Sequence, residues 1–280
     1  GGFDTVEVGA EIGGEGTLLL SGEGTTLVTA GTDHTVQIGR RGHGELTLED
    51  GADLKTLQFG IGREGTGIVT LRGTDTIVVV SPQNGRFSGT RDFGDEAGVM
   101  VIGNEGGSDG RLEVLEGAGI EIVPGQTNNT ETGSAFLLVA EEAGSEGELV
   151  VSGTESRIRI ESEQGPGLNF GTGLIIGDAG SGSATVADGA EIQLNAPDGN
   201  SFNAVGSRGT GELTIESGGR VILNGTPSES GFPKIELGSE ENAEGNVTVT
   251  GENSELLVLG GQNSEISVGN SGDGQLTIAD

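Results

Sequence analysis

The residues able to do chemistry are few, and most of them sit beside glycine. His34 and His43 are the only histidines; His43 stands between Gly42 and Gly44, and His34 lies three residues after Gly31. Cysteine is absent, which removes thiol nucleophiles, disulfides and thiolate metal ligands. A hydroxyl recurs at one fixed place, Thr25, Thr76, Ser156 and Ser254, always three residues after a glycine. A hydroxyl nucleophile needs a paired base. Four evenly repeated hydroxyls without one describe scaffolding, each expected to cap a turn by bonding a nearby backbone group. Arg40, Arg41 and Arg63 occupy matching turn positions in consecutive repeats. Stacking would gather them into a small anion-binding spot or, more simply, pair them with carboxylates such as Glu45 and Glu64.

Hard-cation chemistry has one weak candidate. Asp92, Asp95 and Glu96 place three carboxylates within five residues of the longest insertion, where calcium would find oxygen ligands. Asn104, Glu105 and Asp109 form a second oxygen-rich stretch. Neither keeps EF-hand spacing, and no Gly-Gly-x-Gly-x-Asp array occurs, so solvated acidic loops are the simpler reading. Sugar-cleaving chemistry needs an acid and a base roughly 5–10 Å apart in a groove, and sugar clefts rely on aromatic platforms. Trp and Tyr are both absent and 8 Phe remain. A carbohydrate-active β-helix enzyme working through an insertion loop is therefore the alternative, and a non-enzyme the expectation. The Gly-x-Gly steps precede strands rather than helices, so nothing supports a phosphate cradle. No catalytic and no cofactor-binding residue is expected.

These residues hang on two alternating signatures. One reads φ-Gly-x-x-Gly-x-Gly-x-φ-Thr-φ-x-x-Gly-Ala/Gly, with φ apolar, as in the run from Ile38-Gly39 to Ala52 and from Val205-Gly206 to Gly219. The other ends as φ-x-φ-x-Gly-x-x-Ser/Thr-x-φ, and Leu18, Leu20, Gly22, Thr25 and Leu27 are its first copy. Successive φ-Gly pairs, counted from Ile12, lie 26, 23, 41, 37, 37, 29, 32 and 31 residues apart. A fixed internal repeat means stacked, near-identical units. The shortest period holds three short strands and three turns, one rung of a parallel β-helix. Longer periods carry insertions at 81–98, 124–134, 161–173, 195–203 and 225–233, which fall between motif copies and are expected to project at a corner.

Glycine supplies 57 of 280 residues, against an ordinary share of about 7%. The net charge of −31 with 32% apolar residues would suit a disordered chain. The apolar residues are ordered, however, at i, i+2 spacing next to Thr, as in Glu45-Leu46-Thr47-Leu48, which is strand alternation. Leu46, Leu48, Leu213, Ile215, Val247 and Val249 should point inward as ladders, and Thr47, Thr214 and Thr248 outward. A bulky side chain at a recurring corner would meet its own copy about 4.8 Å above, so a glycine column is expected there. The chain is read as one all-β domain over 1–280, a right-handed parallel β-helix of around ten rungs. Its acidity disfavours nucleic acid and anionic lipid. No run of 18 apolar residues is present to cross a membrane.

The run from Gly206 to Gly219, and that from Ala140 to Ser156, resemble the repeats of bacterial autotransporter passenger regions. They are similar in particular to the repeat associated with type V secretion and PEP-CTERM surface proteins. That resemblance covers nearly all of the chain outside the insertions. It implies an exported, extracellular protein at a Gram-negative cell surface, a structural or adhesive stalk or fibre that touches host-surface or matrix glycans. It implies also that the chain is an excised segment or one processed unit. Departures are the long insertion at 81–98 and Val139-Ala140 in place of φ-Gly.

The two ends read as continuous. The last copy stops at Asp280 where others continue with a glycine pair, and the chain opens on Gly1, Gly2 and Phe3. Read across the join, the first form passes into the second at Ile12 to Leu27 and keeps the alternation. An end-to-end interface is expected from Gly1, Gly2, Phe3, Val6 and Val8 on one side and Leu276, Ile278 and Asp280 on the other. Its partner is a copy of the same chain or flanking repeats.

Overall fold

The computed structural model describes residues 5–29, 35–81, 97–124, 134–162, 171–196, 201–225, 233–260 and 264–280. Twenty-six strands and no helix occur among them. They form three sheets, of nine, nine and eight strands, and within each sheet every third strand of the sequence is the next neighbour. All the pairings are parallel, from Thr5 over Thr35 at one end to Glu244 over Asp273 at the other. This is a parallel β-helix. Rung 1 is Thr5–Val8, Glu15–Ser21 and Thr26–Val28; rung 9 is Glu265–Val268 and Asp273–Ala279.

Side-chain alternation builds the core. Leu46, Leu48, Leu213, Ile215, Val247 and Val249 are buried, while Thr47, Thr214 and Thr248 lie half-buried on the outer face. Ladders such as Leu46 on Val69 on Leu112 on Leu149 run without a slip in register. One residue of slip would turn each ladder to solvent, so the buried face fixes the register.

The corner between first and second sheets explains the φ-Gly signature. Gly9, Gly39, Gly62, Gly103, Gly177, Gly206, Gly238 and Gly269 have φ between 63° and 71°, and Ala140 takes the same conformation at φ 58°. A Cβ on Gly39 would stand 2.0 Å from the Thr66 carbonyl oxygen of the next rung. The first such pair is Val8-Gly9; Ile12, from which the sequence spacing was counted, is 86% exposed on the corner loop. That loop misled the count because Ile12-Gly13 copies the φ-Gly pattern without a strand before it.

The five insertions all fall at one corner, between a third-sheet strand and the first-sheet strand that follows. The longest separates Ile77–Val80 from Gly98–Ile102. Rungs 4 to 7 also differ outside. Gly98–Ile102 and Ala135–Val139 are buried on both faces, and Val99, Val101, Phe136, Leu138, Ile175 and Ala204 form a second apolar cluster on the outer side of the first sheet. The sequence marks it by unbroken apolar runs such as Ala135-Phe136-Leu137-Leu138-Val139, the pattern of strands buried on both faces.

Candidate functional site

The repeated hydroxyl works in the second corner. Its first job is the expected one: Thr25, Thr76 and Ser156 donate to the carbonyl oxygens of Ser21, Arg72 and Ser152, four residues back, at 2.9, 3.0 and 2.7 Å. Its second job crosses rungs. The hydroxyls of Thr76, Ser156 and Ser254 accept the backbone N–H of Gly51, Gly117 and Gly218 in the rung below, at 3.0, 2.9 and 3.0 Å. Those glycines end the other corner form, where two successive residues take positive φ, Asp50 at 56° and Gly51 at 80° for instance. The alternation therefore has a physical cause: one corner presents an N–H that the other corner's hydroxyl receives.

The charged candidates are accounted for by ion pairs. Arg40 meets Glu7 at 2.8 Å, Arg41 meets Glu64 at 3.2 Å, and Arg63 meets Glu105 at 2.9 Å. Each of the three arginines has a carboxylate, so no anion spot forms. Glu45 pairs with His43 at 3.1 Å instead of with an arginine. His34, and the calcium candidates Asp92, Asp95 and Glu96, lie outside the described residues. In the second oxygen-rich stretch Glu105 is engaged by Arg63. Among the described residues no group of three or more His, Asp or Glu is placed to hold a metal ion.

Two polar groups inside the stack were not legible in the sequence. Asp178, with a side chain 0% exposed, receives Arg208 from the rung above at 2.8 Å. That hydrogen bond first, opposed by burial and aided by the charge of Asp178, raises the guanidinium above its ordinary pKa. Asn203 points inward where an apolar ladder residue is expected. Its strand, Asn203–Val205, is short, and its side chain replaces missing ladder bonds. Oδ1 accepts the Leu174 N–H at 3.0 Å, and Nδ2 donates to the Lys234 carbonyl at 2.8 Å.

The remaining site is the pair of ends. Val6, Leu18, Leu20 and Leu27 only partly cover the core at rung 1. At rung 9, Ile266 is 40% exposed, Val268 47% and Ile278 74%. These residues belong to the first and last rungs among the described residues. Val6, Val8, Leu276 and Ile278 of the expected interface stand at these ends; Gly1, Gly2 and Phe3 lie outside the described residues.

No family model, no curated protein and no solved structure matches the chain. No helix among the described residues is long and apolar enough to cross a membrane.

Proposed function

We propose that this chain is a structural element: a rod of stacked rungs serving as an extracellular stalk or fibre at a bacterial cell surface, with an adhesive role toward host-surface or matrix glycans. The observation that carries the reading is the stack itself, three parallel sheets of nine, nine and eight strands held in register along one axis. The ion-paired arginines and the hydroxyls committed to backbone bonds support a scaffold over a catalyst. The charge of −31 keeps a long glycine-rich β structure soluble and discourages sideways association. Secretion and surface location rest on the repeat resemblance.

Negative-stain images of the native material test the proposal. Nine rungs span roughly 40 Å at the strand spacing, so rods one rung wide and at least that long are expected. Isolated compact particles, or a reproducible release of reducing ends from a polysaccharide that one carboxylate substitution abolishes, would overturn it.

A further inference from the structure

Resting on the adhesive reading, we propose that Arg157 and Arg159, side by side on the outer face of the third sheet, are a docking point for the sulfate or carboxylate groups of an acidic glycan. Among the described residues every other arginine has a carboxylate within ion-pair distance, and these two have none. In a chain with 44 Asp and Glu against 13 Lys and Arg, such an arginine is the exception. Both belong to the strand Arg157–Glu161 of rung 5 and are exposed on its outer side. Their i, i+2 spacing sets them about 6.6 Å apart.

Neighbouring rungs leave the pair free. Glu191 stands directly above Arg157, but Arg220 of rung 7 holds it at 3.2 Å and takes Glu255 on its other side at 2.8 Å. Arg157 lies down instead over Gly119 of rung 4: its Cγ and Nε would both stand 3.9 Å from a Cβ placed there. The stack does not demand that glycine. A Cβ on it would meet nothing closer, in contrast to the 2.0 Å contact at Gly39, and its φ is not positive. A glycine inside a strand often marks the close approach of another group, and here that group is the arginine stem. One rung further down, Ile77 and Val79 continue the two columns as half-buried aliphatics.

The patch therefore offers two unpaired guanidiniums above an aliphatic strip. Guanidinium donors match the oxygens of sulfate and carboxylate, and the strip suits the apolar face of a sugar ring. Glu121, directly beneath Arg159, competes for it; Glu161, at the end of the strand, already accepts Asn195 at 3.2 Å. The net charge of −31 repels any polyanion at long range. A glycan whose acidic groups are separated by sugar rings meets less of that repulsion than duplex DNA, with a charge for about every 1.7 Å of its axis. The repulsion fades over about 10 Å at about 0.1 M salt, whereas the guanidinium contacts are direct. Binding should therefore rise from low ionic strength to about 0.1 M and fall again at molar salt.

The test is binding of the 280-residue chain to immobilised dextran sulfate and polygalacturonate at about 0.1 M salt, with uncharged dextran and duplex DNA alongside. Arg157→Ala and Arg159→Ala should each weaken binding to the acidic polysaccharides about fivefold, and Glu121→Gln should strengthen it about threefold. Gly119→Val should weaken it as Arg157→Ala does, by pushing the stem aside, without lowering the urea midpoint. Arg72→Ala removes the same charge from a position already paired with Glu49 and should leave binding as it is. Equal losses for Arg72→Ala and Arg157→Ala would reduce the effect to net charge and overturn the site. Duplex DNA held more tightly than either acidic polysaccharide, through the same two arginines, overturns the glycan assignment. A chain that binds uncharged dextran and neither acidic polymer overturns this proposal and leaves the adhesive reading standing; one that binds none of the polysaccharides removes the adhesive reading with it.

Discussion

Replacing Ser156 by alanine isolates the bond that joins the two corner forms. Ser156 is 1% exposed, accepts the Gly117 N–H at 2.9 Å and donates to the Ser152 carbonyl at 2.7 Å. Stranding a buried donor costs about 1–3 kcal/mol, and the lost second bond adds about 1 kcal/mol. The expected destabilisation is therefore about 2–4 kcal/mol. Thr25 provides an internal reference, because it keeps the donated bond to Ser21 at 2.9 Å but belongs to rung 1, at the exposed end. Thr25→Ala should cost under about 1 kcal/mol. Ser156→Thr should be nearly neutral, since Thr76 makes both bonds at the equivalent corner. Urea unfolding of the variants gives the stability change, and native-state hydrogen exchange of the Gly117 amide gives the local one, which matters because rungs of a solenoid open separately. Equal costs for Ser156→Ala and Thr25→Ala, with Gly117 exchange unchanged, would refute the claim that the hydroxyl rivets one rung to the next.

Two further substitutions test backbone arguments by the same unfolding assay. Asn203→Leu restores an apolar ladder residue yet should destabilise by about 2–4 kcal/mol, because the Leu174 N–H and the Lys234 carbonyl lose their side-chain partner; a stabilised variant would contradict that account. Ala140→Gly should stabilise by about 0.5–1 kcal/mol, the left-handed strain of alanine exceeding the chain entropy that glycine adds. Gly39→Ala, whose Cβ would meet the next rung at 2.0 Å, should cost several times that; equal and small effects at both positions would argue against a steric origin for the glycine column.

The fold was readable because its determinants are local and repeated. Period-two alternation around Leu46 and Leu48, and the turn glycines beyond, specify a strand and its buried face whatever lies above or below. The insertions could be placed at a corner for the same reason, since they break no motif. What stayed hidden depends on neighbouring rungs, whose residues are distant in sequence. The reason for two corner forms is a bond from Gly117 to Ser156, across 39 residues. Asn203 looks like a loop residue until Leu174 and Lys234 are placed on either side of it. Arg208 has no visible partner in sequence, because Asp178 lies 30 residues earlier. The false first pair at Ile12-Gly13 shows the reverse error, a local pattern without the strand that should precede it.

The direction of the ladder hydrogen bonds carries a mechanical consequence. They run along the rod axis, so a pull on the two ends loads the bonds of one rung at a time instead of shearing all of them together. The stretch from Thr35 to Gln58, a single rung of 23 residues, occupies about 4.8 Å of axis when folded and about 75 Å when drawn out. Each rung that yields would lengthen the stack some fifteenfold locally while its neighbours keep their register. A stack made this way gives under a sudden tug and rewinds rung by rung on the intact rungs when the tension drops.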